Sequence, residues 1–288
     1  MSKKQKAIIY IIISAFCFAL MNCFVRLSGD LPTMQKSFFR NFIAMLMAAI
    51  ILFKSKTGIK YNKRDIPLLL LRSLMGTIGI LGNFYAVDHL NLSDASMLNK
   101  LSPFFAILFS MIFLREKPKI MQFLCVIAAF IGSLFIIKPT LEITAILPAL
   151  LGTMGGLGAG AAYTAVRALG QRGVKGPLIV FFFSAFSCIA VLPWVITGYK
   201  PMEIWQLMYL LLAGIAAAGG QFTITAAYSN APAKEISIYD YTQIIFSAVL
   251  GFYIFSQTPD VYSIIGYFII CGASVAIFIY NNPKTNTK

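Results

Sequence analysis

Ten mostly apolar runs, each close to the length that crosses a bilayer, divide the chain. They fall at residues 7–27, 35–53, 66–87, 93–114, 119–137, 144–167, 177–197, 204–228, 234–256 and 260–280. A helix rising 1.5 Å per residue needs about 20 such residues to span a hydrocarbon core of ~30 Å. The pattern therefore predicts an all-α membrane protein of ten transmembrane helices. The links are short and leave no room for a soluble domain. Some carry turn signals, as Gly29, Asp30 and Pro32 do between the first two runs. The first run, from Ala7 to Val25, follows Lys3, Lys4 and Lys6 but is longer than a signal-peptide core and lacks a small-residue cleavage site. It is expected to be a retained span.

The basic residues orient these spans. Placing the N-terminus in the cytoplasm puts 17 Lys and Arg on that side: Lys3, Lys4, Lys6, Lys54, Lys56, Lys60, Lys63, Arg64, Arg115, Lys117, Lys119, Arg167, Arg172, Lys175, Lys234, Lys284 and Lys288. Only Arg26, Lys36, Lys138 and Lys200 fall opposite. Cytoplasmic loops carry such an excess, so both termini are expected inside a cell (inner or plasma) membrane. A net charge of +14 in a soluble chain would suggest nucleic acid, but here the charge lies between apolar runs. With 59% hydrophobic and 12% charged residues, and a mean hydropathy of +0.80, the chain is too apolar for a soluble fold, typically about 25% charged. The expected partners are a small-molecule substrate and the lipid bilayer, with no nucleic acid and with room for a homodimer.

The chain also repeats at an offset of 141. Arg26 matches Arg167, Gly79 matches Gly220, Asp94 matches Glu235, Ser96 matches Ser237 and Pro118 matches Pro259. A unit of five spans is odd, so its two copies enter the membrane in opposite senses. The expected units are residues 1–139 and 140–288, the inverted-repeat plan of secondary transporters, whose site lies near the midplane between the halves.

Polar groups inside spans narrow the site. Lys100 and Asn99 sit about two turns into the fourth span. At the matching place in the ninth stand Tyr239, Asp240, Tyr241 and Gln243, with Asp240, Gln243 and Ser247 spaced to share one helix face. Lipid cannot satisfy such a face. Lys100 and Asp240 are expected to line one central cavity, with a buried pair that only fixes packing as the alternative; Asp240 is the candidate for proton coupling. Arg40 lies near the outer end of the second span, where binding and snorkelling to the interface are equally open. Arg72, near the inner end of the third, reads as a structural or lipid-facing anchor. Ser14, Phe18, Asn22 and Arg26 form a partly polar stripe in span one, and Gly155, Ala159, Tyr163 and Arg167 an equivalent one in span six; Asn83, Gln221 and Thr225 add to them. Helix–helix hydrogen bonding accounts for each taken singly.

Gly152, Gly156 and Gly160 form a small-residue face, and Gly76, Gly79 and Gly82 thin span three. The five cysteines lie inside apolar runs without ligand spacing, and the single histidine, His89, sits beside Asp88 in what reads as a solvated loop. No H-E-x-x-H, G-x-S-x-G or P-loop appears. The chain is expected to be neither an enzyme nor a holder of metal or cofactor.

At these residues the chain resembles the drug/metabolite transporter superfamily, in its ten-helix EamA-type branch. The matching pieces in the first half are Phe39-Arg40, Arg72 with Gly76, Tyr85-Ala86, Leu92-Ser93-Asp94-Ala95, Ser102-Pro103-Phe104 and Leu114-Arg115-Glu116. In the second half they are Tyr163 to Arg167, Gln221, Ala227-Tyr228, Tyr241-Thr242 and Ile265-Gly266. The Arg72 and Asp94-Ala95 pieces are closest to the subgroup that includes S-adenosylmethionine carriers. One departure stands out: where the family ends span nine with Gly-Glu, this chain reads Ser256-Gln257, so any role of that glutamate applies to Glu116 alone. The resemblance implies two inverted five-helix halves, a cavity lined by spans one, three, four, six, eight and nine, and peripheral spans five and ten. The expected function is alternating-access transport of a small polar or zwitterionic metabolite, an amino acid or derivative. Flipping of a lipid-linked substrate and a non-transporting sensor or assembly partner are the alternatives.

Overall fold

The computed structural model describes residues 3–54, 62–114, 120–137, 143–231, 236 and 239–281. Lys56, Lys60, Arg115, Glu116, Lys117, Pro118, Lys119, Lys138, Lys234, Glu235, Ser237, Lys284 and Lys288, named above, lie outside the described residues. The helices are α1 (Lys3–Leu27), α2 (Thr33–Lys54), α3 (Ile66–His89), α4 (Leu92–Asn99), α5 (Ser102–Leu114), α6 (Ile120–Ile137), α7 (Ile143–Gln171), α8 (Gly176–Thr197), α9 (Ile204–Asn230), α10 (Thr242–Phe255) and α11 (Val261–Asn281). Seven of them are long and apolar enough to cross a membrane.

Two spans expected to be continuous are broken. The fourth is α4 plus α5, joined through Lys100 and Leu101. Pro103 has no N–H to offer the Asn99 carbonyl one turn back, so the helical ladder is interrupted at the junction. In the ninth, residues 239 and 240 are helical, Tyr241 forms a turn, and α10 starts at Thr242. There the Thr242 hydroxyl donates to the Tyr239 carbonyl at 2.7 Å, a local bond that competes with the helical ladder. Asp240 therefore does not share one continuous helix with Gln243 and Ser247.

The packing is paired. α3 lies along α7 and α1 along α9; α2 meets α8, α6 meets α11, and α4 meets α10. The offset of 141 reappears in the bonds. Arg26 Nη1 donates to the Val87 carbonyl at 3.1 Å, and Arg167 Nη1 to the Tyr228 carbonyl at 3.3 Å. Donor and acceptor each shift by 141.

Glycine sets the α3–α7 seam. A methyl added at Gly82 would lie 2.3 Å from the Leu151 carbonyl oxygen, and one at Gly158 would lie 2.5 Å from that of Met75. Gly156 and Gly160 face Leu98, Leu101 and Ser102 at the helix break instead, and Gly152 lies between Ala86 of α3 and Leu98 of α4. So α7 uses one glycine face against α3 and another against the α4–α5 junction.

At the end of α10, Ser256 adopts φ +52°, the one left-handed non-glycine among the described residues. Its N–H and that of Gln257 return to the Phe252 and Gly251 carbonyls, and Gln257 Oε1 accepts from the Leu92 N–H at 3.0 Å, capping α4. Left-handed backbone costs an L side chain roughly 1–2 kcal/mol, and glycine at this place removes that cost. Ser256→Gly is therefore expected to stabilise the protein by about 1 kcal/mol. Thermal unfolding of the purified variant checks this, and a lower midpoint would show that the serine hydroxyl matters more than the backbone.

Candidate functional site

The polar positions converge where the paired helices meet. A small cavity is lined by Asn22 of α1, Arg40 of α2, Arg72 and Asn83 of α3, Asn99 at the end of α4, Tyr163 of α7, Phe183 of α8, Gln221 of α9 and Gln243 of α10. Phe18, Met21, Ile80 and Phe84 supply its apolar wall. Spans two and seven thus join the lining that the resemblance implied, while α6 and α11 stay outside it. The free space is about 50 Å³, room for a few water molecules at ~10–15 Å³ each.

Arg40 does not snorkel. It is 1% exposed, and its Nη1 donates to the Asn41 amide oxygen. Asn41 in turn donates to Ser187 Oγ of α8 at 2.9 Å, so α2 and α8 clasp the arginine between them. Of the two readings of Arg72, a structural or a lipid-facing anchor, the second does not hold. The residue is 2% exposed, its Nη2 donates to Gln221 Oε1 at 2.9 Å, and its guanidinium carbon lies 4.0 Å from the centre of the Phe183 ring. Arg40 approaches the same ring at 5.7 Å. Gly76, one turn after Arg72, makes the space: a methyl there would stand 2.1 Å from Arg72 Nη1 and 2.7 Å from Phe183. Asn83 Nδ2 donates to Asn22 Oδ1 at 2.9 Å, linking α3 to α1, and the Tyr163 ring stacks on Tyr228 with centroids 4.9 Å apart.

Lys100 and Asp240 meet each other. Lys100 Nζ lies 2.6 Å from Asp240 Oδ2, with the side chains 2% and 0% exposed. The Tyr241 hydroxyl donates to the Lys100 carbonyl at 2.8 Å, joining two positions 141 residues apart, and Ser96 and Ser247 hydroxyls pair at 2.7 Å. The two helix breaks are therefore stitched together by one ion pair and two hydrogen bonds. Neither Lys100 nor Asp240 is among the cavity's lining residues; opposite charges in a low dielectric satisfy each other first. Tyr239 and Tyr241 also lie outside the lining, Tyr239 packing edge-on against Phe278.

Sequence reasoning placed Asn22, Arg40, Asn83, Asn99, Tyr163, Gln221 and Gln243 among site candidates, and the structure brings these seven into one cavity. It missed Arg72 and Phe183 as lining residues. For Arg72 the signal was the glycine one turn on. For Phe183, in a run of three phenylalanines, there was none.

A wider recess of about 540 Å³ opens one turn further along α1, among Arg26, Asp30, Lys36, Asp88, His89 and Lys200. Lys36 is buried and pairs with Asp88 at 2.6 Å. Lys200 Nζ reaches the exposed Asp30 carboxylate at 3.0 Å and holds it below the usual carboxylate range. Gln35 and the Lys200 backbone exchange two hydrogen bonds, at 2.9 and 3.0 Å. The opposite end is tied by Arg172 to Asp65 at 3.2 Å. Among the described residues the cysteines are free and no cluster has the makings of a metal site.

Two segments, residues 5–138 and 146–279, match the model of the EamA-like transporter family. A pseudopaline exporter of Pseudomonas aeruginosa is 31% identical over 276 residues, covering 95% of this chain and 96% of its own. Solute carrier family 35 member G1 of Homo sapiens is 24% identical over 284 residues, 94% of this chain and 78% of that one. A riboflavin transporter of Brucella anthropi is 25% identical over 288 residues, 94% and 97% of the two chains. One solved crystal structure superposes with a TM-score of 0.69 over 98% of this chain and 99% of that one at 12% identity, a likeness of fold alone.

Proposed function

The chain belongs to the EamA-like transporter family, and from that premise we propose that it carries a small polar or zwitterionic metabolite, an amino acid or derivative, by alternating access of two halves, residues 1–139 and 140–288. That it is a multi-pass membrane transporter rather than an enzyme follows from the family and its relatives. The relatives' names, an exporter of pseudopaline and a transporter of riboflavin, do not point to one cargo, so the cargo is argued from the cavity.

The observation that carries the reading is the polar cavity itself, buried where helices from both halves meet. Hydrogen-bonding side chains in a membrane interior have no use against lipid. Here eight face one space: Arg72 and the seven named next. Asn22, Arg40, Asn83, Asn99, Tyr163, Gln221 and Gln243 contact the cargo in this reading. Arg40 takes an anionic group, and the amides take amine or hydroxyl groups. Space for a few waters does not admit a metabolite, so the halves must move apart on one side at a time. The contacts that would yield are at hand: Lys200 with Asp30 and Gln35 at one end, Arg172–Asp65 at the other. Lys100, Asp240, Tyr239 and Tyr241 form the second layer of the site at the helix breaks, and any coupling to protons falls to Asp240.

Reconstituted into liposomes, the protein is expected to show saturable counterflow of a labelled amino-acid pool. Asn83→Leu removes a cavity amide and orphans Asn22, and it is expected to cut the saturable rate tenfold or more. A rate equal to wild type would sink the reading.

A further inference from the structure

We infer that the cavity selects cargo bearing two negative charges, delivered as two carboxylates or as one phosphate, with Arg40 and Arg72 as the paired receptors. This rests on the transport reading above and deepens it by giving the charge of the cargo.

Both guanidiniums stand in the cavity wall, almost wholly buried. Neither is paired with a carboxylate among the described residues. The ion pairs there engage Asp30, Asp65, Asp88 and Asp240 with other cations. Asp94 is held by the Tyr267 hydroxyl. What Arg40 and Arg72 touch is neutral: the Asn41 amide, the Gln221 amide and the Phe183 ring. The Nε of each is buried without a hydrogen-bond partner, and so is Asn83 Oδ1.

An arginine does not shed its proton to escape such a place. Contact with an aromatic face and single amide bonds offset only part of the desolvation of a buried cation. Two unneutralised cations in one small cavity also repel each other. The compensating charge must then come from what the cavity takes in. A single negative charge leaves one guanidinium uncompensated, whereas two neutralise both. The planar forks suit carboxylate and phosphate oxygens, two bonds at a time. Both arginines lie over one ring, so one small molecule can bridge them. Asn83 Oδ1 remains as an acceptor for an ammonium or hydroxyl on the same molecule, which fits an amino acid derivative with a second acidic group. Arg72 is the specificity-determining partner: Arg40 alone would serve any carboxylate.

The test uses the full chain, purified and in liposomes, with matched ligands at constant ionic strength. L-aspartate is set against L-alanine, succinate against butyrate, and glycerol 3-phosphate against glycerol, by thermal shift and by counterflow. The doubly charged member of at least one pair is expected to half-saturate at a tenfold or lower concentration than its match, and which pair responds tells carboxylate from phosphate. Arg72→Gln is expected to erase that preference, and Arg72→Lys to restore it in part. The wild-type series carries the test even if a variant does not fold. Equal or better binding by the less charged members throughout would overturn the inference, as would a preference that survives Arg72→Gln. Saturable flux of L-alanine with no preference for any doubly charged member would leave transport standing and remove the two-charge site. Dianion binding without any flux would do the reverse.

Discussion

Asp240→Ala is expected to destabilise the purified protein by about 3–5 kcal/mol, because it leaves the Lys100 ammonium buried at the junction of two broken helices with no countercharge. At ~2–4 °C per kcal/mol for chains approaching this size, the thermal midpoint should fall by roughly 10 °C. Lys100→Ala should cost a similar amount, since it strands the carboxylate, whose Oδ1 has no other hydrogen-bond partner among the described residues. The informative variant is the double one. Lys100→Met with Asp240→Leu removes both charges and keeps volume, and apolar replacement of a buried pair is often neutral or stabilising. Stability should return to near wild type. Transport then decides what the pair is for. If it only fixes packing, counterflow returns with stability. If the pair opens during the cycle, stability returns and counterflow does not. Asp240→Asn probes coupling in the same way. Lys100 Nζ is the charge that faces this carboxylate, 2.6 Å from Oδ2, so losing the negative charge would release Lys100 and loosen the stitch between the breaks. Uptake by the Asn variant should therefore no longer respond to an imposed pH gradient. A response equal to wild type would assign coupling elsewhere.

The sequence made some of this visible and hid the rest, for physical reasons. Span length and the clustering of Lys and Arg are one-dimensional signals, and they gave the helix order directly. The repeat offset was visible because symmetry forces equal spacing, and it returned in bonds such as Arg26 to Val87 and Arg167 to Tyr228. The pairing of Lys100 with Asp240 was half visible. Both were recognised as costly in a membrane, with a central cavity and a buried pair left as alternatives, but not that their pairing would leave Arg40 and Arg72 as the open cations. Pro103 could have announced the break in the fourth span; the break at Tyr241 has no proline, and nothing marked it. Of the two readings of Arg72, structural or lipid-facing, the structure removes the second, and its place in the cavity was hidden because depth along a helix says nothing about which neighbour faces it. Its partner Phe183 lies more than a hundred residues away in a run of identical rings. Only the glycine at position 76 hinted that the guanidinium needed room.

The second large effect concerns the glycine seam. Gly82→Ala adds one methyl, 2.3 Å from the Leu151 carbonyl oxygen and 2.9 Å from the Gly155 nitrogen. Both are backbone atoms of a packed helix and cannot rotate aside, so α3 and α7 must separate. Overpacking of this kind costs typically 1–3 kcal/mol, against a gain of at most about 1 kcal/mol from alanine's better helix propensity. The net is a loss. Gly272→Ala in α11 is the control, because among the described residues nothing lies within 4 Å of its added methyl. It should be neutral or slightly stabilising, with a small gain because helices persist in the membrane-bound unfolded state. The same chemical change thus lowers the thermal midpoint at one site and leaves or slightly raises it at the other, and equal shifts would show that the seam is not closely packed. Function should follow the seam. Gly79 of α3 and Ala159 and Ala162 of α7 line the cavity, and Arg72 and Asn83 ride on α3 opposite Tyr163. Widening the seam shifts both polar groups against the other half, so Gly82→Ala should lower counterflow by more than its loss of folded protein explains, while Gly272→Ala leaves it unchanged.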